Sequence, residues 1–280
     1  MTVTRFAPSP TGYLHLGHAA SALAGYEAAM RAGGRFLLRI EDIDGARCRP
    51  EFEAAIYEDL AWLGLRWEEP VRRQSEHMTD YAAALDRLAE TDLVYPCFCT
   101  RRDIAEAVRA PHLDRPGPDG PLYPGLCRGL SETERADRLT RGLPYALRLD
   151  AVRAAAQLDP MVWQEIGEGA IPVDPLLFGD VVLARKDVPS SYHLAVVVDD
   201  ALQGVTLVTR GRDLHAATHV HRTLQGLLGL ATPQYRHHPL ITDAAGRRLA
   251  KRHDALSIRA LRAKGVAPAE LRERIKAAIP

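Results

Sequence analysis

The sequence has little that would direct it to a membrane or to an oxidising compartment. No run of about 18 uncharged apolar residues, the length that a membrane span requires, occurs in its 280 residues. The first residues, MTVTRFAPSP, lack the basic start and the apolar stretch of a secretory signal. Only four cysteines occur, too few for a disulfide framework in a chain of this length. We therefore expect a cytoplasmic protein without a membrane partner.

Net charge is also lacking, because 36 Lys and Arg residues balance 36 Asp and Glu residues. The overall charge therefore neither favours nor excludes a nucleic-acid partner. The distribution is uneven: residues 41–92 hold 14 acidic and 6 basic residues, whereas residues 247–276 hold 10 basic and 3 acidic residues. The basic segment is either a surface for a polyanion or a solvated helical face.

The first 90 residues have the pattern of a parallel α/β sheet. TRFAPS is typical of a strand that enters a loop, and residues 17–31 are mostly Ala and Leu, which favour a helix. The run FLLRI at residues 36–40 is typical of a strand covered on both faces. Pro50 suits the first turn of a helix, and apolar residues at helical spacing predict a further helix around residues 81–88. The order strand, helix, strand, helix, helix predicts an α/β core.

A long loop rich in Pro and Gly, residues 109–130, interrupts this pattern and indicates an insertion. Strand signals return with DVVLAR from Asp180, and the Val-rich segments YHLAVVVDDA and GVTLVTRG continue them. DLHAATHVHRTLQGLLG then predicts a helix with Asp213 as its N-cap. A strand-like YRHHPLI and two short helices follow. We predict that residues 1–90 and 178–230 are two halves of one core. Residues 91–177 would be an insertion between them, and residues 231–280 a C-terminal segment.

The segment PTGYLHLGHAA joins a predicted strand to a predicted helix through a glycine-bearing loop. Such a junction directs backbone N–H groups and the positive end of the helix dipole at one point, which suits a phosphate. Gly12 and Gly17 allow a ligand close to the backbone, and His15 and His18 would add imidazole donors. Two other interpretations stay open. One is a metal site, for which no nearby carboxylate or cysteine completes the ligand set, and the other is a structural polar pair.

Five motifs in the expected order resemble the glutamyl branch of the class I aminoacyl-tRNA synthetases. They are RFAPSPTGYLHLGH, LRIEDID, YHLAVVVDD, GVTLVTRGRDL and RRLAKR, which stands where the family has KLSKR. The resemblance covers residues 5–252 and implies an α/β fold: a Rossmann-type parallel sheet with a zinc-bearing insertion and a short α-helical C-terminal segment. It also implies that L-glutamate and ATP with Mg²⁺ are the substrates, and that they react to glutamyl-adenylate and pyrophosphate.

The same resemblance implies roles for individual residues. His15, His18 and Lys251 would be catalytic and, together with Gly17, would contact ATP. Arginine forks suit carboxylates, so Arg5 and Arg210 would bind the two carboxylates of glutamate. Glu41 would bind the ammonium, and Tyr192 would lie beside the bound amino acid. The edge of the pocket would be formed by Phe6, Ala7, Pro8 and Ser9. In RRLAKR, Arg248 and Ala250 replace a lysine and a serine of the family pattern. Since Lys251 is retained, we expect activity.

Three of the four cysteines have a spacing that suggests a structural zinc site. Cys97 and Cys99 are two apart, and Cys127 follows in the Gly- and Pro-rich loop. A structural zinc takes four ligands, so one position stays open. The resemblance to zinc-containing glutamyl-type enzymes implies Tyr123 as the fourth ligand, with His112 in the same loop as a rival. Reduced cysteines without a metal are the alternative.

The length favours one branch of the family. Only 28 residues follow Arg252, so we expect no anticodon-binding domain. CFCT, YPGLCR and RGRDL resemble the shortened glutamyl-Q tRNA(Asp) synthetases, which implies activation of glutamate without tRNA and its transfer to queuosine in the anticodon of tRNA(Asp). The basic C-terminal segment would then contact RNA phosphates, and we expect a monomer. The alternatives are a minimal glutamyl-tRNA synthetase that charges the 3′ end of tRNA(Glu), and a non-catalytic RNA-binding paralogue.

Overall fold

Three parallel strands with intervening helices form the first part of the fold, in a computed structural model that describes residues 1–109, 115–185, 187–241 and 257–278. The elements are β1 (Val3–Phe6), α1 (Leu16–Arg31), β2 (Arg35–Ile40), α2 (Pro50–Trp62), β3 (Glu68–Arg73) and α3 (Met78–Ala89). β1 pairs in parallel with β2, and β2 pairs in parallel with β3. The predicted parallel α/β pattern is confirmed, and Pro50 occupies the start of α2 as expected. β3, with the sequence EEPVRR, was not predicted because its charges hide the strand pattern.

Helix α1 lies close against the sheet because its buried face carries small residues. Four of its alanines are at most 1% exposed. At Gly25 an added Cβ atom would lie 2.9 Å from Thr209 Oγ1, and Thr4 Oγ1 donates a 2.8 Å hydrogen bond to the Gly25 carbonyl oxygen. A larger residue at position 25 would therefore push the helix off the strands and move its first turn.

The second part of the core lies beside the first, and its strands belong to two further sheets. Its elements are β10 (Val182–Arg185), α7 (Tyr192–Leu202), β11 (Leu207–Gly211), α8 (Ala217–Leu227) and β12 (Gln234–His238). β11 pairs in parallel with β12. Just before the start of β11, Thr206 N donates a 2.9 Å hydrogen bond to the carbonyl oxygen of Val3 at the start of β1, so β11 lies beside β1 in the same direction. The carboxyl ends of β1 and β11 therefore open on the same edge, where parallel sheets place their sites.

Two predictions for this part were wrong. Tyr192–Leu202 forms helix α7, capped by Ser191, whereas the sequence favoured a strand. The side chains from 194 to 200 are all buried, so the Val-rich run shows no polar face that would reveal a helical period. Asp213 does not cap α8, because it lies in a 3₁₀ turn, Arg212–Leu214, and α8 begins at Ala217.

Between the two halves lie short elements that join two different sheets. They are β4 (Val94–Cys97), α4 (Arg101–Ala107), β5 (Pro116–Gly117), β6 (Gly120–Pro121), α5 (Glu132–Thr140), β7 (Ala146–Leu149), α6 (Ala151–Ala156), β8 (Val162–Glu165) and β9 (Gly169–Pro172). β7 pairs antiparallel with both β4 and β10. β8 pairs in parallel with β12 and antiparallel with β9. The pairing of β7 with β10 thus crosses the predicted boundary between the insertion and the second half at residue 177. The predicted boundaries of the parts therefore stay predictions.

Two helices, α9 (Ile258–Ala263) and α10 (Pro268–Ala278), end the described chain, as the sequence predicted. Their buried side chains join the core cluster of α1 and α2. Arg272 Nε donates to the Leu63 carbonyl oxygen at 3.1 Å, just after α2. In the described ranges, no helix is long and apolar enough to cross a membrane.

Candidate functional site

His15 and His18 lie at the start of α1. His15 is the N-cap, and its Nδ1 accepts from Gly17 N at 3.1 Å, while His18 Nδ1 accepts from His15 N at 3.2 Å. The two rings stack with their centroids 3.7 Å apart. A neutral imidazole that accepts through Nδ1 carries its proton on Nε2. Both rings can therefore donate to an anion at the positive end of a 16-residue helix.

Arg5 lies at the end of β1 and is held by α7 and β11. It is 5% exposed. Its Nε donates to Asp200 Oδ1 at 3.0 Å, and its Nη1 donates to the Thr209 carbonyl oxygen at 3.3 Å. A carboxylate and a backbone carbonyl thus fix the guanidinium in place while using only part of its donors.

Arg39 on β2 connects this arginine to Glu41. The Arg39 side chain is fully buried, and its Nη1 donates to Asp200 Oδ1 at 2.8 Å and to Gln203 Oε1 at 2.9 Å. Its Nη2 donates to Glu41 Oε1 at 3.3 Å. Asp199, the neighbour of Asp200 on α7, lies 3.5 Å from Arg39 Nε. Arg39 therefore lies within ion-pair distance of three buried carboxylates, two of which also pair with Arg5 and Arg72.

Glu41 follows β2 and is 8% exposed. Burial raises the pKa of its carboxyl to about 7, although Arg39 and Arg5 act in the opposite direction. Its backbone N donates to the Pro8 carbonyl oxygen at 3.0 Å, which joins it to the segment after β1. A partly buried carboxyl of this kind is suited to a substrate cation above neutral pH.

Arg210 on β11 is held by neutral groups. Its Nε donates to His237 Nε2 at 2.9 Å and its Nη2 donates to Thr218 Oγ1 at 2.7 Å. Its Nη1 lies 2.9 Å from His221 Nδ1. Burial, reinforced by the charge of Arg210, lowers the pKa of both histidines, so they are neutral acceptors at pH 7.

A cavity of about 560 Å³ opens beside Glu41, lined by residues of the first half, the insertion and the second half. Ser9, Glu41 and Tyr192 line it. Its rim carries four arginines, Arg47, Arg101, Arg148 and Arg185. The structure thus brings most of the predicted glutamate residues together: Arg5 and Arg210 influence the pKa of Tyr192, and so does Glu41. Phe6 is different, because its side chain belongs to the hydrophobic core.

The predicted zinc ligands also come together. Tyr123 Oη lies 3.3 Å from Cys97 Sγ and 3.5 Å from Cys99 Sγ, and Cys99 Sγ lies 3.5 Å from Cys127 Sγ. Burial acts to raise the pKa of the Cys97 thiol, but hydrogen bonding with Tyr123 and Arg148 outweighs it and lowers that pKa. Three thiols and a phenol at these separations fit a tetrahedral ion. The rival ligand His112 lies outside the described residues.

Lys251 lies outside the described residues, as do Arg248 and Ala250. Ser257, the next described residue along the chain, forms an isolated β-bridge with His15. In the described part of the basic segment, several cations already have acidic partners. The pairs are Arg262 with Glu58, Arg274 with Glu270, and Lys276 with Glu273.

The sequence analysis missed the residues that hold the two arginines. Asp200, His221 and His237 occur in quoted segments, but their roles depend on partners far along the chain. One signal was available for Arg39, because a charged residue inside the apolar run FLLRI must find buried partners.

Comparison with known proteins shows which proteins the chain resembles. A family model described as the catalytic domain of class I tRNA synthetases (E and Q) matches residues 1–277. The chain is 50% identical over 276 residues to a glutamyl-Q tRNA(Asp) synthetase of Rhodobacter capsulatus, covering 98% of this chain and 99% of that protein. It is 46% identical over 267 residues to a protein of the same name from Nocardia farcinica, covering 95% and 81%.

A solved structure matches the fold. The glutamate-tRNA synthetase of Elizabethkingia anophelis superposes with a TM-score of 0.77 at 31% identity, covering 90% of this chain and 52% of that chain. This chain therefore spans about half the length of that synthetase. The match extends over both halves of the α/β core and the elements between them.

Proposed function

The chain belongs to the family of class I tRNA synthetase (E and Q) catalytic domains, and we propose that it activates L-glutamate with ATP and transfers it to queuosine of tRNA(Asp). Relatives named glutamyl-Q tRNA(Asp) synthetase, matched over nearly the whole chain, support the choice of acceptor. The site supports the choice of amino acid.

The observation that carries the proposal is the set of charges around Tyr192. Arg5 and Arg210 are two buried guanidinium groups that influence the pKa of Tyr192, and the Glu41 carboxyl lines the cavity together with Tyr192. Glutamate brings two carboxylates and one ammonium, so each charge of the substrate finds an opposite charge in the site. Guanidinium forks are suited to carboxylates because they donate two parallel hydrogen bonds.

The first step follows from these positions. The α-carboxylate of glutamate attacks the α-phosphorus of ATP, the bond to the β-phosphate oxygen breaks, and pyrophosphate leaves with its electron pair. His15 and His18 donate from Nε2 to the phosphate oxygens, where negative charge increases in the transition state. Lys251 contacts the phosphates from the segment before Ser257, and Mg²⁺ accompanies ATP.

In the second step a hydroxyl of queuosine attacks the glutamyl carbonyl carbon, the carbonyl–phosphate bond breaks, and AMP leaves with that electron pair while the hydroxyl proton is released to solvent. The cavity beside Glu41 is wide enough to admit a nucleoside, and its four arginines are suited to RNA phosphates. Because Arg148 lies over the Tyr123 ring at 4.0 Å, the cysteine cluster supports one wall of this cavity.

We also propose that Cys97, Cys99, Tyr123 and Cys127 hold one structural zinc ion. The converging thiols and phenol support this ligand set. Zinc would cross-link β4 to the loop that follows β6, and so would fix the Arg148 wall without taking part in the reaction.

Two measurements test the function. Glutamate-dependent ATP–pyrophosphate exchange is measured without RNA, and transfer of labelled glutamate is then measured with tRNA(Asp) that contains or lacks queuosine, and with tRNA(Glu). We expect exchange without RNA and transfer only to queuosine-containing tRNA(Asp). Absence of exchange would leave a non-catalytic paralogue, and transfer only to tRNA(Glu) would leave a minimal glutamyl-tRNA synthetase.

A matched pair of variants tests the amino-acid site. Glu41→Gln keeps the shape of the side chain but removes its charge, so the KM for glutamate should rise. Glu68→Gln makes the same change at an exposed residue of β3, paired with Arg35, and should leave that KM unchanged. Equal effects would contradict the role of Glu41.

A further inference from the structure

Behind Arg210, side chains from four other elements form a continuous series of hydrogen bonds. Glu165 at the end of β8 contacts His237 on β12, which contacts Arg210. On the other side, Arg210 contacts His221 on α8, which contacts His193 on α7 at 3.1 Å. We call these five residues the Arg210 relay.

The chemistry of arginine fixes the tautomers of the relay. A guanidinium group only donates hydrogen bonds. His237 must therefore accept through Nε2, and its proton must be on Nδ1, which lies 2.8 Å from Glu165 Oε2. His221 must accept through Nδ1, so its Nε2 donates to His193 Nδ1.

Glu165 is built to keep His237 in this state. It is 3% exposed, and both of its oxygens accept hydrogen bonds. Oε1 accepts from the backbone N of His237 at 2.7 Å, and Oε2 accepts from His237 Nδ1 and from Trp163 Nε1 at 3.3 Å. Because both of its oxygens accept from protein donors, Glu165 matches the tautomer of His237 that has its proton on Nδ1 and opposes the other tautomer.

The relay also determines which donors of Arg210 remain for a ligand. Its contacts with His237, His221 and Thr218 use one N–H on each of its three nitrogens. Of the five N–H groups, one on Nη1 and one on Nη2 remain after the contacts with the described residues. Two such groups are what a carboxylate needs for a bidentate contact.

We propose that Glu165, His237 and His221 are positioning residues that act through Arg210, presenting its guanidinium to a substrate carboxylate while leaving its charge unpaired. The proposal rests on the proposed function for the identity of that carboxylate. The relay itself rests on the hydrogen-bond geometry alone.

A metal ion is the competing use of these residues. Ligand atoms of Glu165, His215 and His237 lie within 4.8 Å of one another, and His215 Nε2 is buried without a hydrogen-bond partner among the described residues. However, both nitrogens of His237 are already engaged, one by Arg210 and one by Glu165. A metal ion would break one of these hydrogen bonds and would place a second cation beside the Arg210 guanidinium. The relay is therefore the better account of the cluster.

The spectroscopic test needs no variant. In the native protein labelled with ¹⁵N-histidine, long-range ¹H–¹⁵N spectra report the protonated nitrogen of each assigned ring. We expect His237 protonated on Nδ1 and His221 protonated on Nε2 at pH 7. Protonation of His237 on Nε2, or a metal-bound shift at His237 that a chelator removes, would overturn the relay. This outcome is independent of whether glutamate is the substrate.

The kinetic test compares two substitutions at one position. His221→Leu removes the acceptor, so the KM for glutamate in ATP–pyrophosphate exchange should rise about tenfold or more, the loss expected for a hydrogen bond to a charged group. His221→Asn places an amide oxygen near the former Nδ1 and should recover part of this loss. The KM for ATP should stay unchanged in both variants, because the proposed role of Arg210 is to bind the glutamate carboxylate.

A control on the same helix separates positioning from stability. His219 on α8 accepts from Asp174 N through Nδ1 at 2.8 Å and does not belong to the relay. His219→Asn should leave the KM for glutamate unchanged. If His221→Leu changes only the melting temperature, or raises the KM for ATP as much as that for glutamate, the relay is only structural. If the native protein shows no exchange at all, the proposed function fails, while the spectra still test the relay.

Discussion

Replacement of Arg39 by methionine tests whether one buried arginine holds the amino-acid site together. Arg39 is fully buried and contacts Asp200 at 2.8 Å, Glu41 at 3.3 Å and Asp199 at 3.5 Å. Methionine fills much of the same volume without a charge. The variant therefore removes the counter-charge of three carboxylates and leaves the packing of β2 nearly unchanged.

The size of the loss follows from what each carboxylate retains. Asp200 keeps Arg5, and Asp199 keeps Arg72. Glu41 loses the only ion pair that joins it to the described residues. Breaking a buried pair by removal of one partner typically costs about 3–5 kcal/mol, and the remaining partners favour the lower end of that range. We expect a decrease of about 3 kcal/mol in the free energy of unfolding at pH 8.

The loss should depend on pH in a defined direction. Burial already raises the pKa of Glu41 to about 7 with Arg39 present, and removal of Arg39 raises it further. Below that pKa the carboxyl is neutral and needs no counter-charge, so the variant should lose less stability at about pH 5.5 than at about pH 8. Chemical denaturation at both pH values, followed by circular dichroism, measures the difference.

Arg35 provides the matched control, because it lies on the same strand but forms an exposed pair with Glu68. Arg35→Met should leave the free energy of unfolding within the error of the measurement at both pH values. The reasoning is refuted if Arg39→Met costs less than about 1 kcal/mol at pH 8, or if its cost is larger at pH 5.5.

Three further predictions follow from the site. The KM for glutamate should rise as pH falls from about 8 to about 6, because only ionised Glu41, whose pKa burial raises to about 7, attracts the ammonium; a flat profile contradicts this. Cys127→Ser should lower the zinc content of the purified protein, measured by mass spectrometry. A zinc content below about half an equivalent per chain in native protein that was never exposed to a chelator would argue against the site. Lys251→Ala should slow adenylate formation in single-turnover assays far more than it weakens glutamate binding by calorimetry, and equal losses argue against its role.

Local signals in the sequence were enough to predict much of the fold. Pro50 opens α2 because its fixed backbone angle suits a first helical turn. The apolar run at 36–40 is a strand because it is covered on both faces. The same logic failed at Tyr192–Leu202, since a Val-rich segment buried on all sides has no periodicity to distinguish a helix from a strand. Tertiary packing decides such segments.

From the sequence, the candidate site could be predicted only for residues that lie within a recognised motif. Arg5, Glu41 and Arg210 stand in motifs that resemble the family, and the structure brings them close enough to Tyr192 for each to influence its pKa. Glu165 and His237, which lie behind Arg210, belong to no such motif. They are 72 positions apart and meet only because β8 pairs with β12. Long-range pairing of this kind leaves no pattern in a single sequence.

The two arginines proposed for the substrate carboxylates are buried in different ways, which bears on how the site selects glutamate. Arg5 has a full negative charge, that of Asp200, 3.0 Å from its Nε before any substrate binds. Among the described residues, the contacts of Arg210 are uncharged, and Glu165 lies beyond the His237 ring. Because Coulomb energy falls with distance, a substrate carboxylate gains more from the field of Arg210, whereas Arg5 acts mainly as an oriented donor. A substrate with a neutral amide in place of a carboxylate would therefore lose more binding free energy at Arg210 than at Arg5. The relay thus preserves a charge that a direct ion pair would have neutralised.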